Sequence, residues 1–185
     1  MTRLNTLTKG IAASIILGGV ALNVTSATAG GTHKGGHAFG EAGDPSKATR
    51  TINIVMHDNY YEPENITAKP GETIRFTIKN AGDFVHEFNI GTAKMHAAHQ
   101  EEMMMMVEHG VLEPDKINHE MMKMDMGNGQ TMEHDDPNSI LLEPGKSGEI
   151  VWKFTEATSL EFACNIPGHY DSGMVGQLSV KKPDS

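Results

Sequence analysis

From residue 50 onward the chain alternates apolar and polar side chains with a period of two. Ile52, Ile54 and Met56 share one parity, and after the turn signal KPGE so do Ile74, Phe76 and Ile78. Successive side chains of a strand point to opposite faces, so this alternation predicts half-buried β-strands. The same pattern places Phe84, His86, Phe88 and Ile90 on one face of FVHEFNI, and Ile150, Trp152 and Phe154 on one face of EIVWKF. Leu160, Phe162 and Cys164 follow in LEFAC, and Met174, Leu178 and Val180 share a side near the C-terminus. Short alternating strands broken by Gly and Pro turns predict an all-β domain, a β-sandwich or barrel.

Three stretches depart from this pattern. Residues 1–29 carry Arg3 and Lys9, then the apolar run GIAASIILGGVAL, then small residues at Ala27–Ala29. That order predicts a signal peptide cleaved near Ala29, because the run is shorter than the roughly 20 residues of a bilayer span. Residues 30–49 are rich in Gly and polar residues and predict a flexible arm containing His33 and His37, either a tether or a loose copper ligand. Residues 91–138 interrupt the strands with helix-compatible composition and are too long for a hairpin loop. The main domain is expected over residues 50–182, with 91–138 as a partly helical insertion.

Charge narrows the partners. The formal net charge is −9, and loss of Arg3 and Lys9 with the signal peptide would make it more negative. Nucleic acid and anionic membrane reward Lys and Arg, so neither is expected as a partner after cleavage; metal cations are favoured. Cys164 is the only cysteine, so it makes no disulfide within the chain, which in an exported protein shifts weight to metal ligation.

Strand parity points the side chains of His86, Cys164 and Met174 toward the core. An imidazole buried without a partner costs on the order of 1–3 kcal/mol, and a metal ion would supply the partner. Two imidazoles and a thiolate, with a weak axial thioether, make a type 1 copper site. His86, Cys164, His169 and Met174 fit that set: Cys164 ends one strand, His169 lies in the following turn, Met174 opens the next strand, and His86 arrives from a distant strand. Pro167 and Gly168 are expected to shape the turn. Zinc is a poor rival because it seldom accepts Met.

The HEF of residues 86–88, followed by C-x4-H-x4-M in CNIPGHYDSGM, resembles the cupredoxins. The chain is most similar to the periplasmic copper-tolerance cupredoxins of the CopI type, in which a Met- and His-rich insertion also separates the first His from the Cys loop. The resemblance covers residues 50–182. It implies a Greek-key β-sandwich holding one copper through His86, Cys164 and His169, with Met174 axial.

The insertion concentrates ten of the thirteen Met and five of the ten His between residues 95 and 134. Met95, His99, Met103 and Met106 recur at helical spacing, which fits a Met stripe packed on the sandwich. Four consecutive Met cannot all face one core, however, and thioethers are soft ligands that select Cu(I). Candidate secondary copper ligands are therefore Met95, His96, His99 and Met103, then Met104, Met105, Met106 and His109. His119, Met121, Met122 and Met124, then Met126, Met132 and His134, complete the set.

These features favour copper handling in the periplasm: one redox-active copper, additional Cu(I) in the insertion, and a redox or copper-transfer protein as partner. The alternative is a soluble electron carrier whose insertion is a docking surface. An enzymatic role is not expected, because multicopper oxidase clusters need paired H-x-H motifs, a binuclear centre needs two Cys, and this chain has neither. Replacing residues 95–134 with a Gly/Ser link is expected to leave the four-ligand site intact, since no ligand lies inside that segment.

Overall fold

The computed structural model describes residues 37–125, 131–133 and 136–182. The expected signal segment, residues 30–36 of the arm with His33, and Met126 and His134 of the insertion lie outside them. The elements are β1 (Gly40–Ala42), β2 (Arg50–His57), β3 (Tyr60–Glu62), β4 (Asn65–Ala68), β5 (Thr73–Asn80) and β6 (His86–Gly91). Helix α1 (Ala93–Glu108) follows, then the hairpin β7 (Lys123–Asp125) and β8 (Thr131–Glu133), and finally β9 (Ser139–Leu142), β10 (Ser147–Phe154), β11 (Thr158–Ala163) and β12 (Val175–Val180).

Two five-stranded sheets form a sandwich, one in the order β1-β10-β5-β2-β3 and the other β4-β12-β11-β6-β9. The chain crosses between them at β3–β4, β4–β5, β5–β6, β9–β10 and β10–β11, the interleaved path of a Greek-key sandwich. Register puts the alternating apolar residues side by side. Ile52 pairs with Phe76 and Ile54 with Ile78 across the parallel β2–β5 ladder. Ile150 pairs with Phe76 and Trp152 with Ile74 across the antiparallel β10–β5 ladder.

Between the sheets lies one aromatic cluster. Phe162 packs edge-on against Tyr61 at 5.1 Å and tilted against Phe88 at 5.4 Å, and Phe88 meets Phe76 at 5.6 Å. Each such pair contributes roughly 0.5–1.5 kcal/mol beyond its buried area. Cys164 and Met174 belong to this same core.

Two expectations are corrected. The arm is not loose throughout residues 30–49: Phe39 is buried and β1 pairs with β10, Ala42 opposite Trp152. Glycine-rich composition reads as a tether, but here it permits close approach, because a Cβ on Gly40 would stand 2.2 Å from the Trp152 indole nitrogen. Phe84 does not continue the inward face of His86 and Phe88. It is 46% exposed, since β6 begins only at His86 and residues 81–85 form a turn. Buried Asn80 holds that turn, donating from Nδ2 to the Phe84 and Leu142 carbonyls and accepting from the Gly82 N–H.

The insertion begins with a well-terminated helix. The Thr92 hydroxyl accepts from the Met95 N–H at its start. At its end Gly110, at positive φ, donates to the Val107 carbonyl while the Val111 N–H reaches the Met106 carbonyl, and Val111 packs with Met106. That is a Schellman cap. A second core of Val85, Met103, Met106, Val111, Leu112 and Ile117 lies under the insertion, and Ile166 packs against it as well as against the main core. Among the described residues no helix is long and apolar enough to cross a membrane.

Candidate metal centre

His86 opens β6, and the turn before it is fixed from two directions. Asn80 binds it from β5, and the Val85 N–H donates to the Pro114 carbonyl of the insertion. Cys164 directly follows β11. The intervening loop turns at Ile166-Pro167-Gly168-His169, where the His169 N–H returns to the Ile166 carbonyl and Gly168 takes φ +84°. Pro at the second position and Gly at the third are the type II signature, as expected from those residues. Met174 precedes β12; its N–H donates to the His169 carbonyl, and its own carbonyl accepts from the Cys164 N–H.

This arrangement brings His86, Cys164 and His169 together, with one donor atom of each within 4.8 Å of the others. Cys164 Sγ stands 3.3 Å from His169 Nδ1, and the two imidazole rings are 5.1 Å apart between centroids. His86 and Cys164 are fully buried and His169 is half-buried. Met174 is fully buried in the adjoining core.

The environment fixes protonation as well as position. His86 donates from Nε2 to Asp58 Oδ1 at 2.8 Å, which leaves Nδ1 as a buried lone pair without a partner. Burial lowers the pKa of His86 against the opposing pull of Asp58. Burial likewise lowers that of His169, helped by His86. Burial would raise Asp58, but hydrogen bonds from His86 and from the Asp83 N–H keep it below the ordinary carboxylate value. Burial, and then the negative charge of Glu87, push the Cys164 thiol up to about 12 against hydrogen bonds from the Glu87 and Ile166 N–H groups. Both imidazoles are thus held neutral, while the buried sulfur keeps its proton as a thiol.

Sequence reasoning did not single out Asp58, Glu87 or Asn165. Glu87 is completely buried, its N–H donating to Cys164 Sγ at 3.3 Å. Its Oε2 accepts from the Asn165 N–H at 3.1 Å and from Asn165 Nδ2 at 2.8 Å; its Oε1 accepts from Ser139 Oγ at 2.5 Å and His99 Nε2 at 2.9 Å. The available signal was a charged residue inside a strand flanked by His86 and Phe88.

The secondary candidates divide sharply. Met103 and Met106 are buried in the second core, and Met95 is packed against the main one. His96 is buried with Nδ1 toward Asn165 Nδ2 at 3.2 Å, and His99 lies between Glu87 and Glu102. In these positions Met103 and Met106 pack in the second core and His99 pairs with two carboxylates. Met104 is 45% exposed, Met105 half-buried, and His109 exposed with Nδ1 donating to the Met105 carbonyl. His119 is exposed, and Met121 and Met122 are half-buried at the edge of the second core. Met124 and Met132 pair in register across β7–β8. His37 stacks on Phe39 at 5.0 Å.

Comparison with known proteins matches the fold and the family. A family model described as a cupredoxin-like domain matches residues 14–96. The copper-resistant cuproprotein CopI of Pseudomonas aeruginosa is 50% identical over 175 residues, spanning 91% of this chain and 95% of that protein. The protein of the same name from Rubrivivax gelatinosus is 41% identical over 159 residues, 82% of each chain. Among solved structures, auracyanin B has a TM-score of 0.55 at 17% identity, covering 79% of this chain and 96% of its own; this likeness is one of fold.

Proposed function

Because this chain belongs to the family of copper-resistant cuproproteins CopI, we propose that it holds one type 1 copper through His86, Cys164 and His169, with Met174 axial, and serves copper tolerance in the periplasm. The observation that carries this reading is the buried, unpartnered Nδ1 of His86 beside Cys164 Sγ and His169. The donor set fits copper: a thiolate and two imidazoles suit it in either oxidation state, and the buried thioether is a soft donor. Bound there, copper would supply a one-electron couple and an intense thiolate-to-copper absorption. The chain's own part is to exclude water, hold both imidazoles neutral and keep the buried sulfur protonated until a cation displaces its proton. The role is binding and redox cycling rather than catalysis.

Additional Cu(I) capacity is assigned to the accessible rim of the insertion, Met104, Met105, His109, His119, Met121 and Met122. The carboxylates around them offset added positive charge.

The test is titration of the purified mature protein with Cu(II), followed by optical spectroscopy and metal counting. Wild type is expected to develop a charge-transfer band and Cys164→Ser to lack it; a Cys164→Ser variant that kept the band would overturn the assignment. Under reducing conditions more than one copper per chain is expected.

One observation favours the second reading, a soluble electron carrier. The half-buried His169 edge borders a groove of about 300 Å³ lined by Phe84, Val107, Leu112, Pro114 and Pro167, with Phe84 and Val107 exposed. Such a surface would admit a partner close to a copper ligand. A stoichiometry of one copper under reducing conditions would favour this reading.

A further inference from the structure

Helix α1 touches the metal centre through charge as well as through packing. The Glu87 carboxylate gathers Asn165 from the cysteine loop, Ser139 from β9 and His99 from the helix, while the Glu87 N–H reaches Cys164 Sγ. His99 presents each ring nitrogen to a carboxylate at 2.9 Å, Nε2 to Glu87 and Nδ1 to Glu102. Both nitrogens must carry protons to donate to two carboxylates, so His99 is an imidazolium. Three residues before it, His96 Nδ1 accepts from the same Asn165 Nδ2 that also donates to Glu87.

A carboxylate wholly buried one residue from a copper ligand would be costly alone and would set a negative charge against the thiolate. Resting on the copper reading above, we propose that His99 of the insertion is a positioning residue for the copper site, compensating Glu87 and thereby fixing Asn165 and the hydrogen bond to Cys164. The insertion is then an integral wall of the site, not only a store of ligands. Changes in the helix, including copper taken up at its exposed face, would be felt at Cys164 through this pair.

His99→Gln keeps one hydrogen-bond donor and removes the charge. The uncompensated carboxylate favours Cu(II), so the reduction potential is expected to fall and the charge-transfer band to shift. A tenfold change in relative Cu(II) and Cu(I) affinity corresponds to about 59 mV. His99→Arg, which restores a cation able to meet two carboxylates, should recover most of the shift. In metal-free protein, amide exchange at Asn165 should quicken in His99→Gln and not in Lys94→Ala, whose side chain is exposed on the same helix. In a Glu87→Gln background, His99→Gln should add little. Should His99→Gln fail to fold, Glu102→Gln, which strips the outer carboxylate from the same imidazolium, carries the same potential and exchange comparison. Unchanged potential, spectrum and Asn165 exchange, or independent additive effects of the two buried substitutions, would overturn the proposal. Absence of any charge-transfer band in wild type would overturn the copper reading instead, so the two failures are distinct.

Discussion

Asp58 Oδ1 accepts a hydrogen bond from His86 Nε2 at 2.8 Å, and the same carboxylate also accepts from the Asp83 N–H. The pair selects the His86 tautomer that leaves the buried Nδ1 as a free lone pair. A carboxylate behind an imidazole raises the basicity of the ligating nitrogen and favours the more highly charged metal. Asp58→Asn is expected to weaken Cu(II) binding roughly 10–100-fold and to raise the reduction potential. Competition titration and voltammetry check this; an unchanged potential would show that Asp58 is only a surface partner. Gly82→Ala should act in the same direction, since its Cβ would come within 2.2 Å of Asp58 Oδ1 and 2.8 Å of His86 Nε2.

Met174 should tune the site more than hold it. Met174→Leu is expected to retain copper with an altered potential and spectrum, whereas His86→Ala, which removes a buried strong donor, should lose most affinity. Equal copper loss in both, measured by metal content after dialysis, would contradict the axial assignment.

Stability should depend on pH through His99. Burial works against its charge, but Glu87 and Glu102 prevail and raise its pKa from the usual 6.5 to about 10. A raised folded-state value stabilises fully below the unfolded value of 6.5, and that contribution is lost as pH rises through about 10. The groups facing this ring are Glu87 on β6 and Glu102 on α1, with Asp136 and His37 lining the same cavity. In urea unfolding of metal-free protein, the gap between wild type and His99→Gln is therefore expected to be widest below pH 6.5 and to close toward pH 10.

The consecutive methionines should separate by depth. Met103→Ala is expected to cost about 2–5 kcal/mol by opening a cavity in the second core, and Met104→Ala to stay within about 0.5 kcal/mol. Thermal unfolding of the two variants decides it. Excision of residues 95–134 should then damage the coloured site, contrary to the expectation drawn from ligand positions alone. The excision would uncover Val85 and Ile166, which adjoin His86 and the Cys164 loop, and would leave Glu87 without His99.

Period-two alternation carries information about one face of a strand, and it located the sandwich and the inward side chains of His86 and Cys164. It was silent about β6, where all six residues are buried because α1 covers the face bearing Glu87 and Asn89. Nothing in HEFN distinguishes a solvated Glu from one enclosed by a helix whose docking depends on contacts distant in sequence. Phe84 was misplaced for a related reason: parity cannot show where a strand stops, and here Asn80 folds the chain away two residues before His86. Asp58 gave no local signal, since it lies 28 residues from its partner in a turn rich in polar groups. The proximity of Cys164 and His169 was legible because their spacing is short and the Pro-Gly turn between them sets their geometry.

The pairing of β1 with β10 has an optical consequence. Trp152 is the chain's only tryptophan, fully buried, with Phe39 at 5.9 Å and His37 at 6.1 Å from its ring. Its fluorescence therefore reports whether the N-terminal segment is seated. A chain beginning after residue 42 should emit further to the red than the longer form, and proteolytic trimming of that edge could be followed in real time without a label.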